Sequence, residues 1–356
     1  MGRPIIFLLI CISLTSQAQT KQSSIPNPYN LITDKELTNQ APHIKKFWQR
    51  GNSNFFLGIN NIKISYRQFL NPKKEAAIIL INGRGESYIK YQLLAYEFYQ
   101  IGYSVYLYDH RGQGLSDRML TDKQMGYVKK FDNYVQDLAT FYQTKITPQK
   151  HKKTFILSHS MGGTVSLLYA KKYPNTINAI ALSAPMLGLN NEMAMCSLAK
   201  SIKWIKGVFG LQPDYALTQK KYTAVVFEEN NPNLKTHSKA HHLNTLSLYE
   251  QYPQAKLGGV TTMWLVQACN AMQTIRTSLT KIKTPLLLLQ ASEDTIVSLS
   301  AQNAFCENIK KTKNPGCQDG APKVLKGSYH ELLIEEDTFR IPATTSIINF
   351  FKKHKK

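Results

Sequence analysis

Hydrophobic positions along the chain fall into short apolar runs separated by stretches of helical period. The run 76–81 (AAIILI) is apolar at every position, as a strand buried on both faces requires. Segment 62–69 alternates and predicts a half-exposed strand, while 103–108, 154–157, 179–184, 285–290 and 323–325 predict further strands. Helical spacing predicts helices over 88–101, 131–145, 161–172, 303–310 and 345–353, with Gly102 stopping the first. Strands alternating with helices imply an α/β fold, a mostly parallel central sheet with helices on both faces. The stretch 186–282 breaks this rhythm and is far too long for a βα connection. Its helical pattern, with apolar Met193, Met195, Trp204, Ile205, Val208, Phe209, Met263, Trp264 and Leu265, is read as an inserted helical cap over the C-terminal edge of the sheet. An ordinary second domain without a catalytic role is the alternative. The chain thus divides into a core over 37–185, the cap over 186–282 and the rest of the core over 283–356. Polar 19–36, with Pro26 and Pro28, reads as a flexible entry.

Residues 1–18 carry Arg3, an apolar run over 5–14 and small Ser16 and Ala18, the arrangement of a signal peptide cleaved after Ala18. An uncleaved anchor is the other reading, but the run is too short to span a bilayer. Export is therefore expected, to the periplasm, a membrane surface or the exterior. Cys11 follows Ile10, a poor lipoprotein site. The remaining Cys196, Cys269, Cys306 and Cys317 allow three pairings, and the short loop between Cys306 and Cys317 favours that pair; four buried free thiols are the alternative. No ligand spacing for a metal appears among the Cys and His residues, His241 and His242 included, so no metal is assigned.

Composition adds one fact to this picture: 44 Lys and Arg against 23 acids give a net charge of +21 over 356 residues. Such a balance favours anionic partners, a nucleic acid or an acidic membrane surface. Aromatic residues interleaved with Lys and Arg on one sheet face are absent, which argues against nucleic acid.

Chemistry concentrates at the ends of the expected strands. Ser158-His159-Ser160-Met161-Gly162-Gly163 follows strand 154–157 and opens helix 161–172, the context of a nucleophile elbow with Ser160 at its apex. Gly162 meets the need for a small residue two places on; Ser158 stands where glycine is usual and lacks such a partner as a nucleophile itself. The carboxylates Glu293 and Asp294 follow strand 285–290, and His330 follows strand 323–325, giving the chain order serine, acid, histidine. Asp294 is taken as the acid, with Glu293 as the alternative. Met161 N–H supplies one oxyanion donor and Arg84, in the loop Asn82-Gly83-Arg84-Gly85-Glu86-Ser87, the second. That loop lacks the Lys-Ser/Thr of a phosphate cradle. Asp109-His110-Arg111-Gly112-Gln113-Gly114 reads as packing beneath the site, with His110 as a base only in a minority reading.

These motifs resemble those of α/β-hydrolases of the monoacylglycerol lipase and bacterial lysophospholipase group. The similarity extends over 47–351 and into the cap, at Thr236-His237-Ser238 and at Gly258-Gly259 followed by Trp264. It implies hydrolysis of a single-chain acyl ester without a cofactor, by a triad of Ser160, Asp294 and His330. Asn82, where related lipases often carry histidine, and the export signal are departures. Lysophospholipids are the expected substrate and monoacylglycerols the nearest alternative. Trp204, Val208, Phe209 and Trp264 are expected either to line an acyl channel or to form the cap's own core. Lys200, Lys203 and Lys206, with the basic tail 352–356, suggest peripheral contact with anionic membrane. A catalytically silent lipid- or protein-binding platform is the rival from another class, opposed by the intact Ser, Asp and His. The oligomeric state is not legible.

Overall fold

The computed structural model describes residues 25–73, 75–228, 231 and 234–355. The segment 1–18 read as a signal peptide lies outside the described residues. The described residues form eight strands, β1 Asn52–Leu57, β2 Lys63–Phe69, β3 Ala76–Ile81, β4 Ser104–Tyr108, β5 Lys153–His159, β6 Ala179–Ser183, β7 Leu286–Ala291 and β8 Lys323–Leu325. They form one sheet in the order β1-β2-β4-β3-β5-β6-β7-β8, parallel from β4 to β8 and antiparallel at β1 and β2.

The α-helices are α1 Asp34–Arg50, α2 Gln92–Gln100, α3 Asp132–Phe141, α4 Met161–Lys172, α5 Glu192–Val208, α6 Lys239–Gln251, α7 Thr262–Arg276, α8 Leu299–Lys310 and α9 Asp337–Lys355. Successive side chains of a strand point to opposite faces, and β3 shows the result. Ala77, Ile79 and Ile81 join the core cluster that includes residues of α3, α4, α7 and α8, whereas Ala76, Ile78 and Leu80 join the one that includes residues of α1, α2 and α9. Both faces are thus covered, so the central strands read as continuous apolar runs.

Several expected boundaries move. Helix 88–101 divides into a 3-10 turn, Tyr88–Tyr91, and α2. Helix 131–145 passes from α3 into a π-helical turn, Tyr142–Ile146. α8 starts at Leu299, capped by the Ser298 side chain, and α9 starts at Asp337 and continues through Pro342. Packing begins inside the stretch 19–36 read as a flexible entry. Leu31 and Ile32 are buried, Ile32 N–H donates to Glu97 at 2.9 Å, and the Thr33–Glu36 capping box opens α1.

Between β6 and β7 the chain carries α5, α6 and α7. Trp264, Ala268, Met272 and Ile275 of α7 share a core cluster with the sheet. Cys196 of α5 is bonded to Cys269 of α7, and Cys306 to Cys317. The second bond is the pair that sequence spacing favours; the first joins cysteines 73 positions apart, too far for spacing to signal. Four free thiols are excluded.

Candidate active site

β5 delivers Ser160 to the edge of the sheet in a conformation few residues adopt, φ 51° and ψ −119°. A non-glycine residue in the left-handed region stores strain, and here it turns the chain sharply from strand to helix. The turn leaves no room at Gly162, where an added Cβ would lie 2.6 Å from the Ile81 carbonyl oxygen and 2.7 Å from that of Asn82. Ser158, by contrast, is fully buried within β5.

Past β8, the turn through Gly327 (φ 84°) brings His330 back over the sheet. Its Nε2 lies 3.0 Å from Ser160 Oγ and its Nδ1 2.5 Å from Asp294 Oδ2. The other Asp294 oxygen accepts the N–H groups of Ile296 and Val297 at 2.8 and 3.1 Å. Burial pushes the Asp294 carboxyl up, but the His330 hydrogen bond and charge and the two backbone donors outweigh it, holding the group below its ordinary 3.8. Glu293 is exposed and forms no side-chain hydrogen bond or ion pair with His330, so the structure brings Asp294 and not its neighbour to the imidazole. His110 stands apart from this chain: its Nε2 contacts the Asn82 carbonyl at 3.2 Å, and burial lowers its pKa to about 4.

The loop after β3 lies against the elbow, so that a Cβ on Gly83 would approach Ser160 Cβ to 3.1 Å. Gly83 N–H donates to Glu86 at 2.7 Å and Gly85 N–H to Gln113 at 3.3 Å, leaving the Arg84 N–H between them uncommitted among the described residues. Met161 opens α4, where first-turn N–H groups have no intrahelical acceptor. The segment from Asp109 to Gly114 holds this loop from beneath. Asp109 accepts from Asn82 Nδ2, Ser87 Oγ and the N–H groups of Tyr88 and Leu115, and Gln113 Nε2 donates to the Gly83 carbonyl at 2.7 Å. Arg111 pairs with buried Asp137 at 2.6 Å.

Ser160 and His330 open into a cavity of about 540 Å³, within the range of small-molecule sites. Met186, Leu198, Ile202, Trp264 and Leu265 give it a largely apolar wall, and Arg84 and Met161 border it too. Of the four residues expected to form a channel or a private core, Trp264 alone lines this cavity, with its indole N–H 3.2 Å from Tyr134 Oη. Trp204, Val208 and Phe209 are instead 71%, 62% and 71% exposed, so they form neither. Hydrophobicity in sequence does not distinguish a buried apolar residue from an exposed one.

Two groups beside the site were not singled out by sequence reasoning, having no spacing signature. Glu335, fully buried, accepts from Thr236 Oγ1 at 3.0 Å, His237 N–H at 2.6 Å and Tyr329 N–H at 2.8 Å, tying the Thr236-His237-Ser238 motif to the loop that carries His330. Lys90 bridges Glu86 and Glu331 at 2.6 and 2.8 Å. Among the described residues no group of three His, Cys, Asp or Glu side chains is placed to hold a metal ion.

A family model described as serine aminopeptidase, S33, matches residues 72–337. Lysophospholipase L2 of Escherichia coli (strain K12) is 34% identical over 308 residues, covering 86% of this chain and 89% of its own. The monoglyceride lipase of Rattus norvegicus is 26% identical over 260 residues, 72% of this chain and 76% of its own. The crystal structure of a thermostable carboxyl esterase from Bacillus coagulans superimposes with a TM-score of 0.70 at 16% identity, covering 86% of this chain and 99% of that one, and shares the fold. With three quarters of its length inside the family model and 34% identity to a relative over 86% of the chain, the chain belongs to the α/β-hydrolases, as a serine hydrolase of the lysophospholipase L2 and monoglyceride lipase group.

Proposed function

We propose that the protein hydrolyses the acyl ester of lysophospholipids. The observation that carries this reading is the hydrogen-bonded line from Asp294 through His330 to Ser160, opening into an apolar cavity. Ser160 Oγ attacks the ester carbonyl as His330 Nε2 takes its proton, and Asp294 holds the imidazole and stabilises its charged form. The Met161 and Arg84 N–H groups receive the developing oxyanion. Collapse expels the glycerol-side alcohol, which takes the proton from His330; water then enters by the same steps and releases the fatty acid. The chemistry uses no cofactor. Monoacylglycerols are the second reading, supported by the similarity to monoglyceride lipases.

The insertion serves as the cap. Met195 and Leu198 of α5 are exposed on one side and line the cavity on the other, so the mouth opens onto an apolar surface continued by Met193, Trp204, Ile205 and Phe209. Lys200 and Lys203 border the groove that holds Trp204 and Val208, whereas Lys206 pairs with Asp214. This combination suits peripheral contact with an anionic membrane from which substrate is drawn. Among the described residues no helix is long and apolar enough to cross a membrane. The two disulfides support an exported location.

A serine-reactive fluorophosphonate tests the assignment. It should label wild type and leave Ser160→Ala unlabelled. Ser160→Ala or His330→Ala should lower kcat on lysophospholipid by about 10⁴-fold or more, the double variant falling little further. Turnover within tenfold of wild type in either single variant would remove that residue from the mechanism.

A further inference from the structure

A second cavity, of about 380 Å³, adjoins the first and differs from it in character. The two share Arg84, Glu86, Thr218, Gln219, Lys235 and Glu331 as common walls. Where the first is lined mostly by apolar side chains, the second is bordered by Arg84, Lys90, Lys220, Lys221 and Lys235, against two carboxylates, Glu86 and Glu331. Both carboxylates are already engaged by Lys90, and Glu86 also accepts from Gly83 N–H and Tyr91 Oη. Arg84 is spent on the Gly258 carbonyl at 2.9 Å. Lys220, Lys221 and Lys235 have no ion pair or side-chain hydrogen bond among the described residues. The compartment therefore holds more positive charge than its own acids neutralise.

Lys235 stands where the two cavities meet, and its place is fixed by the active-site loop. Its carbonyl accepts the N–H of Glu331, the residue after His330, at 2.9 Å. The facing wall is equally constrained. A Cβ on Gly258 would lie 2.8 Å from the Lys220 carbonyl and 2.9 Å from Lys221 Cα, so glycine there lets the Lys220–Lys221 segment close on the cavity. Lys235 is itself exposed and lines both cavities, so its ammonium can meet a ligand in either.

We propose that this second cavity is the headgroup site, in which Lys235, with Lys220 and Lys221, binds the phosphate of a glycerophospho headgroup while the acyl chain occupies the apolar cavity. The assignment rests on the esterase reading and narrows it. A single-chain lipid with an anionic phosphate fits both compartments, whereas a monoacylglycerol fills only the apolar one and leaves the lysines without a counter-ion. An ammonium acts as a point charge toward phosphate, so each lysine contributes by proximity.

The test uses the full chain with 1-oleoyl lysophosphatidylglycerol and 1-oleoylglycerol, which carry the same acyl chain, in one uncharged detergent. Lys235→Gln should lower the ratio of kcat/KM for the lysophospholipid over the monoacylglycerol by about 10- to 100-fold, the loss of one charge-assisted hydrogen bond. Lys235→Arg should restore most of it. Lys220→Gln with Lys221→Gln should lower the same ratio. An unchanged ratio overturns the assignment. A second readout needs no variant: glycerol 3-phosphate should slow fluorophosphonate labelling of wild type at concentrations where glycerol and inorganic phosphate do not. Equal protection by glycerol overturns the phosphate site, and equal protection by inorganic phosphate assigns the cavity to a free anion and not to a headgroup. Hydrolysis of both lipids at an insensitive ratio would leave the esterase reading standing without the headgroup site. Selective protection by glycerol 3-phosphate with neither lipid hydrolysed would do the reverse.

Discussion

Replacing Gly162 by alanine tests the elbow by adding a single methyl group. The new Cβ would sit 2.6 Å from the Ile81 oxygen, about 0.8 Å short of the 3.4 Å at which ordinary contact begins, and 2.7 Å from the Asn82 oxygen. Both neighbours are backbone atoms. Ile81 ends β3, a central strand paired on both sides, so neither can swing away as a side-chain tip would. Relief must come from the first turn of α4 or from the loop that begins at Asn82, several tenths of an ångström in either case. One movement carries the Met161 N–H and Ser160 away from His330, now at 3.0 Å; the other carries the Arg84 donor off its target. A misplacement of about 1 Å at a reacting centre costs about 10²-fold in rate, so kcat on a soluble p-nitrophenyl ester should fall by about 10- to 100-fold. Overpacking should also cost about 1–3 kcal/mol of stability by urea unfolding. Gly207→Ala is the control. It lies within α5, has nothing within 4 Å of an added Cβ and needs no left-handed φ, so it should gain about 0.5–1 kcal/mol. Wild-type kcat in Gly162→Ala, with stability unchanged, would refute the reasoning.

Converting Cys196 and Cys269 to serine should cost about 4 kcal/mol in the chain-entropy model, against about 3 kcal/mol for Cys306 and Cys317, because separations of 73 and 11 residues enter logarithmically; urea unfolding reads both, and losses in the opposite order would contradict it. The lowered Asp294 carboxyl contributes stability that is complete above its ordinary 3.8 and lost as pH falls through the depressed folded value. The stability advantage of wild type over Asp294→Asn should therefore shrink below about pH 4, and an advantage that grows there would reverse the sign. Lys200→Gln with Lys203→Gln should weaken sedimentation with anionic vesicles, each lysine contributing about 1 kcal/mol at low salt, and unchanged binding would remove them from the membrane contact.

Legibility followed burial. The run AAIILI and the sequence SHSMGG appear in the fold at the positions their patterns imply, since a doubly covered strand and a strained turn each constrain every residue they contain. β1 was missed because it is an antiparallel edge strand with one buried residue, Phe56. α1 was missed because Ile44, Phe47 and Trp48 are its only buried positions and Pro42, which the helix runs through, reads in sequence as a helix stop. Pro342 hid the start of α9 in the same way. At the site, Ser160, Asp294 and His330 were readable because each follows a recognisable strand. The Lys90 bridge, the Glu335 contacts and the Cys196–Cys269 bond join distant segments through side chains whose spacing carries no period.

Glu335 has a consequence for how the insertion can be exchanged among relatives. Its carboxylate holds Thr236 and His237 on one side and the Tyr329 backbone, next to His330, on the other. A chimera cut at the ends of β6 and β7 would therefore graft in half of a bond whose other half stays with the host. Thr236 and His237 are inherited with the histidine loop, while Cys269 farther along ties back to Cys196 of α5. Substrate preference should be transferable by swapping the part that precedes Lys235, including α5, when the incoming segment keeps a cysteine for Cys269, whereas replacement of the whole insertion should disturb the imidazole unless the Glu335 partners travel with it.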